Sequence, residues 1–401
     1  MLCSVKAWAI LAALVAYVVY LFIGSNSNHL PVHVDGTVDP KFKRVKEVFT
    51  QNFNQGWERD GASLSVYVKG KKVVDLWGGY SDREALRKWK EDTISTIFSA
   101  SKGVASLCVA MLVDRGHLSY DDLVTKHWPE FGQNGKNNVT VGMLLSHQAG
   151  LSYFDGVVTM EDAKDHRRMA KKIEQQHPNW PPGTHAAYHA FTHGWLTDQI
   201  IRHTDPKKRG IGQFVREELR DAYGIDLHLG LQKEEAIRVA RLYKTGAIDG
   251  LEKVYLHIEQ KYQGSKAMNA FNIVPWIRLF DSLTVNDPEV WQIEQAGALG
   301  IGNARSLAQL YDLVVRKQLI SAKTLALLQK PLAQLTIAGH KINADKMVGH
   351  AGYGCQHALM DINNEIAISY TTNGLKLVIT EGCVTWSRLK AAIYDAIEGR
   401  S

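Results

Sequence analysis

The chain has 401 residues, of which 45% are hydrophobic and 22% are charged, and its formal net charge is +6. This composition is typical of a globular protein and excludes a disordered, collagen-like or coiled-coil chain. Because lysines and arginines are scattered among acidic residues, the sequence predicts no nucleic-acid partner. The four cysteines are too few for a disulfide-built domain, and no C-x-x-C pair indicates a thiolate zinc site.

An apolar segment near the N-terminus, from Ala7 to Gly24, contains no charged residue. As a helix it would cover roughly 27 Å, which is just sufficient to span a bilayer core. We therefore predict a membrane anchor over residues 1–24. Since Lys6 precedes the segment and no lysine or arginine follows before Lys41, the rest of the chain is expected on the lumenal or extracellular side. The alternative is a cleaved targeting segment of a secreted or mitochondrial protein.

The first folded elements follow a polar stretch. Residues 25–39 contain glycine and proline and show no period, which predicts a linker. From residue 40 to about 55, apolar residues recur at helical spacing and predict a helix. Two alternating runs, 62–68 and 72–78, flank a Lys-Gly-Lys turn and predict a β-hairpin.

The remaining pattern is helical in the middle and strand-like near the end. Residues 99–115 predict an apolar helix that ends at Gly116, and residues 118–330 show helical patterns without a strong strand signal. Later elements are strands at 334–340, 356–362 and 365–372 and an amphipathic helix at 384–397. Strands at both ends predict an α/β (α+β) domain over residues 40–398, with one antiparallel sheet built from both termini, flanking helices and a large helical insertion.

Ser99 and Lys102 lie three residues apart where the apolar helix begins. This spacing places both on one helix face, and the N–H groups at a helix start favour a developing oxyanion. The lysine can take the serine proton once it is neutral, which requires burial to lower its pKa. Because S-x-x-K also arises as a capping serine beside a surface lysine, the pair needs support from the rest of the chain.

From this helix onward the sequence resembles the serine β-lactamase and penicillin-binding superfamily, especially class C β-lactamases and the esterases related to them. The resemblance rests on blocks in the family's order, namely FSASKGVASLCVAMLVDRGHLSYDDLV, HWPEF with VTVGMLLSHQAGL, PPGTHAAYHAFTHGWLTDQII, GALGIGNARSLAQLYDLV and GHAGYGCQHALMDINNEIAISYTTN. It covers roughly residues 40–397. It implies a serine β-lactamase-like fold and an acyl-enzyme reaction on a small-molecule acyl substrate, without a cofactor or metal.

The resemblance also implies roles for individual residues. Ser99 matches the family's nucleophile, Lys102 its base or base partner, and Tyr188 the tyrosine that relays a proton to the leaving group. The N–H groups of Ser99 and Tyr353 are expected to form the oxyanion hole. Which of Lys102 and Tyr188 is the base stays open, since coupled groups titrate together.

Two departures from the lactamases bear on the substrate. The family's asparagine two residues after the tyrosine is Ala190 here, and the third motif is His350-Ala351-Gly352 instead of Lys-Thr-Gly. The missing amide and hydroxyl would hold the side-chain amide and carboxylate of a β-lactam. We therefore expect hydrolysis of an ester or small amide. The alternatives are β-lactamase or D-amino-peptidase activity, and a non-catalytic membrane scaffold that keeps the fold.

Three histidines at spacing four, His185, His189 and His193, would align as metal ligands on one helix. Because Pro181-Pro182-Gly183 comes directly before them and no H-E-x-x-H is completed, we predict no metal site. The pairing of Cys355 with Cys383 and the oligomeric state stay open.

Overall fold

The structure is a computed structural model that describes residues 30–244, 265–279, 282–330, 332, 336–337, 340–341, 347–376 and 382–400. The predicted anchor over residues 1–24 lies outside these ranges. Within them, no helix combines the length and the apolar character that crossing a bilayer requires.

The elements are numbered in chain order over the described residues. Strands β1 to β14 are Val34–Val38, Gly61–Val68, Lys71–Asp82, Arg87–Lys88, Ser95–Thr96, Leu227–His228, Tyr243–Lys244, Ile301–Gly302, Thr336–Ile337, His340–Lys341, Val348–Gly352, Gln356–Asp361, Ile366–Thr372 and Gly374–Leu375. Helices α1 to α14 are Lys43–Asn54, Ala100–Asp114, Val124–His127, Val141–Leu145, Met160–Lys164, His166–Gln175, Thr192–Thr204, Ile211–Val215, Asp221–Tyr223, Ser265–Asn272, Pro288–Trp291, Ala304–Val315, Ala322–Leu328 and Val384–Glu398.

The main sheet has the strand order β1-β3-β2-β13-β12-β11, and its pairs are antiparallel. Its two halves come from opposite ends of the chain and meet where β2 pairs with β13, with Leu64 opposite Tyr370. Both strands alternate in sequence, so each offers one set of side chains to either face. The predicted sheet built from both termini is therefore confirmed.

Each face of the sheet is covered by helices. Leu64 and Val66 pack in one hydrophobic cluster with residues of α1 and α14, such as Phe49 and Trp386. Met360 belongs to the other cluster, which contains residues of α2 and α12. Helices on both faces bury the apolar side chains of the sheet, and β11 is left as an edge strand beside α2.

Two expectations are corrected by the structure. The linker prediction is wrong for Val34–Val38, which forms β1 and pairs with β3. An edge strand pairs on one side and tolerates outward polar residues, so its apolar alternation is weak in sequence. The helical region also contains three two-residue strands, β6, β7 and β8, which are too short to leave a periodic signal. Of the predicted strand 334–340, Thr336–Ile337 and His340 are described, in two short paired strands.

A disulfide joins Cys355, in the turn between β11 and β12, to Cys383, the N-cap residue of α14. The structure thus pairs Cys355 with Cys383, which the sequence left open. Cys108 is a buried free thiol within α2, as its apolar helical context predicts. The bond ties the hairpin of the third motif to the closing helix.

We predict that a Cys355→Ser/Cys383→Ser variant unfolds at lower urea concentration than the oxidised wild type. Its unfolded chain is no longer cross-linked, which for typical disulfides costs roughly 2–4 kcal/mol. Urea unfolding followed by circular dichroism, with and without dithiothreitol, measures the difference. Reductant should lower the wild-type midpoint and leave the double variant unchanged; equal midpoints for oxidised wild type and variant would contradict a stabilising bond.

Candidate active site

The site begins at a sharp turn between strand β5 and helix α2. Phe98 adopts φ 46°, a left-handed conformation that is costly for a bulky residue. Its buried ring packs edge-on against Tyr353, with the centroids 5.5 Å apart. The N–H of Ile97, one residue earlier, donates to the carbonyl of Gly300 at 2.9 Å. The turn leaves Ser99 half-buried at the start of α2, while its neighbours are buried.

Ser101 fixes the same turn from inside the protein. Its hydroxyl donates to the Phe98 carbonyl at 2.5 Å and accepts the N–H of Gly300 at 3.0 Å. A Cβ on Gly300 would lie 2.4 Å from that hydroxyl oxygen. Because glycine has no Cβ, the backbone at Gly300 can pack directly against Ser101. These contacts hold the strained residue in front of Ser99.

Lys102 is buried on the same face of α2 as Ser99. Its Nζ donates to the carbonyls of Gly297 at 2.6 Å and Ala190 at 2.7 Å, and lies 3.4 Å from Ser99 Oγ. Burial lowers the pKa of the amine well below its ordinary value of 10.5. Two carbonyls accept two of its protons, so in the neutral amine the lone pair is directed toward Ser99.

Tyr188 completes the group around the serine. The Nζ of Lys102 lies 4.6 Å from the centroid of the phenol ring. Burial raises the pKa of the phenol, and the neighbouring side chain of Ser99 opposes that shift. The phenol is therefore neutral near pH 7 and can donate a proton.

Neutral histidines flank Tyr188 on two sides. The ring centroid of His147 lies 5.0 Å from that of Tyr188, and His350 lies 6.2 Å away. Burial, with the charge of Lys102 as a second cause, lowers the pKa of His350 to about 4. Burial and the neighbouring His193 hold the pKa of His147 well below its ordinary range. The surroundings of the phenol therefore add no fixed charge at neutral pH.

The three histidines at spacing four lie in different settings. His185 is exposed on the loop before α7, whereas His193 is buried within that helix. His189 is buried and uses both ring nitrogens on backbone, donating to the Ala187 carbonyl at 2.6 Å and accepting the Leu151 N–H at 3.1 Å. Its contacts fix the loop that carries Tyr188.

The third motif reaches the serine from the sheet edge. His350 lies in β11, and a side chain on Gly352 would stand 2.3 Å from the Ile97 carbonyl oxygen. A Cβ on Gly103 would lie 3.5 Å from that of His350, so α2 and β11 pack closely. The structure thus gathers the residues predicted for the site, which are Ser99, Lys102, Tyr188, His350, Gly352 and Tyr353.

No motif in the sequence indicates the groups that hold Lys102. The carbonyls of Ala190 and Gly297 are backbone groups, which any residue type supplies, so no motif reports them. The sequence marks Ala190 by the side-chain amide that it lacks, whereas its role in the structure comes from its carbonyl. The buried side chain of Gln295 hydrogen-bonds backbone groups next to both carbonyls, and no sequence motif indicates this residue either.

The comparisons with known proteins agree with this geometry. The family model described as Beta-lactamase matches residues 49–378. The esterase/beta-lactamase LipL of Mycobacterium tuberculosis (strain ATCC 25618 / H37Rv) is 32% identical over 283 residues, which are 70% of this chain and 64% of LipL. The match therefore spans less than two thirds of that relative's length.

Solved structures resemble the fold over almost all of the chain. A family VIII carboxylesterase superposes with a TM-score of 0.80 at 28% identity, covering 91% of this chain and 100% of the other. A penicillin-binding protein homologue from Caulobacter crescentus gives a TM-score of 0.76 at 29% identity, with coverages of 91% and 100%. Since the family model covers most of the chain and the fold agrees, the protein belongs to the Beta-lactamase family.

Proposed function

We propose that this protein is a serine hydrolase that cleaves esters or small amides through an acyl-enzyme on Ser99. The observation that carries the proposal is the environment of Lys102. Its Nζ is buried, and in the described part of the chain desolvation acts on it without an offsetting carboxylate. A buried amine without a counter-charge favours its neutral form, which is the form that can accept the serine proton.

Acylation follows from the positions of three side chains. The Ser99 hydroxyl proton passes to Lys102 Nζ, and Oγ forms a bond to the substrate carbonyl carbon. The carbonyl electron pair moves to oxygen, where the N–H groups of Ser99 and Tyr353 stabilise it. As the bond to the leaving group breaks, the neutral phenol of Tyr188 gives that group its proton and is reprotonated from Lys102.

Deacylation uses the same groups with water as the nucleophile. The neutral amine of Lys102 takes a proton from water, and the hydroxide attacks the acyl carbon. Collapse of the intermediate breaks the bond to Ser99 Oγ, which recovers a proton. The Lys102 amine returns to its neutral state, so no cofactor is consumed.

The third motif supports esters over β-lactams. A β-lactam carries a carboxylate that a cation on this strand edge would bind, but the low pKa of His350 leaves its imidazole neutral at pH 7. Ala190 likewise offers no side-chain amide. The name of one structural relative, a family VIII carboxylesterase, agrees with this substrate class, whereas LipL is named both an esterase and a beta-lactamase.

We predict that a fluorophosphonate probe labels the wild-type protein on Ser99 and that Ser99→Ala abolishes labelling. The mutant should also lose hydrolysis of p-nitrophenyl butyrate, and a chromogenic cephalosporin should be a far poorer substrate for the wild type. Gel fluorescence and absorbance measure these outcomes. Exposed Ser119 provides the control, since Ser119→Ala should behave as wild type. Equal labelling of Ser99→Ala and wild type, or none in either, would reject Ser99 and favour a non-catalytic scaffold.

The labelling rate should rise with pH as Lys102 loses its proton. Because burial lowers the pKa of this amine, the midpoint should lie well below 10.5, with a plateau above it. His350, with a pKa of about 4, and Tyr188, with a raised pKa, should add no transition within the plateau. Labelling reactions stopped at fixed times from pH 5 to about 10 give the dependence of the labelling rate on pH. A midpoint at 10.5, or an unchanged profile in Lys102→Met, would contradict lysine as the base.

The membrane anchor over residues 1–24, with a lumenal or extracellular catalytic domain, is part of the proposal. Its supports are the charge-free segment from Ala7 to Gly24 and the Cys355–Cys383 disulfide, since disulfides persist in oxidising compartments. Alkaline carbonate extraction of expressing cells should leave the full chain in the membrane pellet and release a chain starting at residue 30. Release of both chains would contradict anchoring.

A further inference from the structure

The position of the Lys102 amine depends on two carbonyls from distant parts of the chain. Ala190 lies in the loop before α7, and Gly297 lies in the turn between α11 and β8. Neither carbonyl belongs to a helix or sheet ladder, which would fix its direction. Something else must therefore hold the two carbonyls toward Nζ.

Gln295 lies between these two segments and is fully buried. Its Nε2 donates to the Phe191 carbonyl at 2.6 Å, next to Ala190. Its Oε1 accepts the N–H of Gly297 at 2.9 Å and the N–H of Ala298 at 2.8 Å. One amide thus joins both loops: it binds the peptide next to the Ala190 carbonyl and the N–H of the peptide that contains the Gly297 carbonyl.

The backbones of the two segments pack closely around the Gln295 amide. A Cβ on Gly297 would lie 2.8 Å from Gln295 Nε2 and 3.0 Å from the carbonyl oxygens of Ala190 and Phe191. A Cβ on Gly194, in the first turn of α7, would lie 2.3 Å from the Gly297 nitrogen. The backbones of the two loops are in direct contact, and the side-chain amide of Gln295 lies between them.

We propose that Gln295 is a positioning residue for the hydrolase: its side-chain amide fixes the Ala190 and Gly297 carbonyls and thereby holds the Lys102 amine toward Ser99. The inference rests on the proposed function. An amide suits this role because it donates through nitrogen and accepts twice through oxygen. A carboxylate accepts but does not donate, and methionine does neither while it has a similar length.

Loss of this bridge should change how Lys102 titrates. The two carbonyls accept from the ammonium, so their loss alone would lower the pKa of Lys102. Water that takes their place relieves desolvation, which is the effect that holds the pKa down, so the pKa should rise toward its ordinary value. In Gln295→Glu the added negative charge acts in the same direction. Both variants should therefore be slow near pH 7 and recover toward wild type at alkaline pH.

The experiment compares full-length wild type, Gln295→Met and Gln295→Glu by fluorophosphonate labelling across pH. We expect the midpoint to move up by about one pH unit or more, and labelling at pH 7 to fall about tenfold for each unit. Gln232, exposed and without a side-chain capping bond, provides matched controls as Gln232→Met and Gln232→Glu, which should keep the wild-type profile. If Gln295→Met does not fold, the closely isosteric Gln295→Glu carries the test.

A second readout separates this inference from the proposed function. The pKa of Lys102 is measured by NMR from its ¹³Cε resonance, assigned with Lys102→Met, and it should rise in the Gln295 variants. If wild-type Ser99 is not labelled while this pKa still rises, the hydrolase function fails and the role of Gln295 in holding Lys102 stands. An unchanged Lys102 pKa, or an equal loss of labelling at every pH, would overturn the positioning role.

Discussion

The arrangement depends on one physical constraint, which is the burial of an amine that has no counter-ion in the described residues. Lys102 donates to two backbone carbonyls, and these dipoles satisfy its protons without the full stabilisation that a carboxylate would give an ammonium. The amine is thereby biased toward its neutral form beside Ser99. A carboxylate in the same place would favour the ammonium form and hold the lysine in an ion pair.

The fold supplies this constraint by bringing together segments that are far apart in sequence. Helix α2 carries Ser99 and Lys102, the loop before α7 carries Tyr188 and Ala190, and the turn before β8 carries Gly297. Their meeting point lies beside β11, where the sheet edge approaches the strained turn at Phe98. Small residues allow backbones to approach there, and buried polar side chains such as Ser101 and Gln295 occupy the remaining hydrogen-bonding positions.

The two histidines beside Tyr188 offer no positive charge to a substrate carboxylate at neutral pH. His147 and His350 beside Tyr188 are neutral at pH 7 because burial lowers their pKa values. A substrate without a carboxylate loses nothing beside these two neutral histidines, whereas an anionic one would find no positive charge on them. The electrostatics thus agree with an uncharged ester, and the disulfide beside the third motif secures the hairpin that carries it.

The sequence by itself determined the architecture, since alternation marked β2 and β13, helical spacing marked α1, α2 and α14, and S-x-x-K at a helix start marked Ser99 and Lys102. These are local patterns that each segment carries whatever its neighbours are. The edge strand β1 was not predicted, because its apolar alternation is weak and its side chains are only partly buried. The tertiary structure alone decided what holds Lys102, because backbone carbonyls and the bridging amide of Gln295 act by position, and position depends on how distant loops pack.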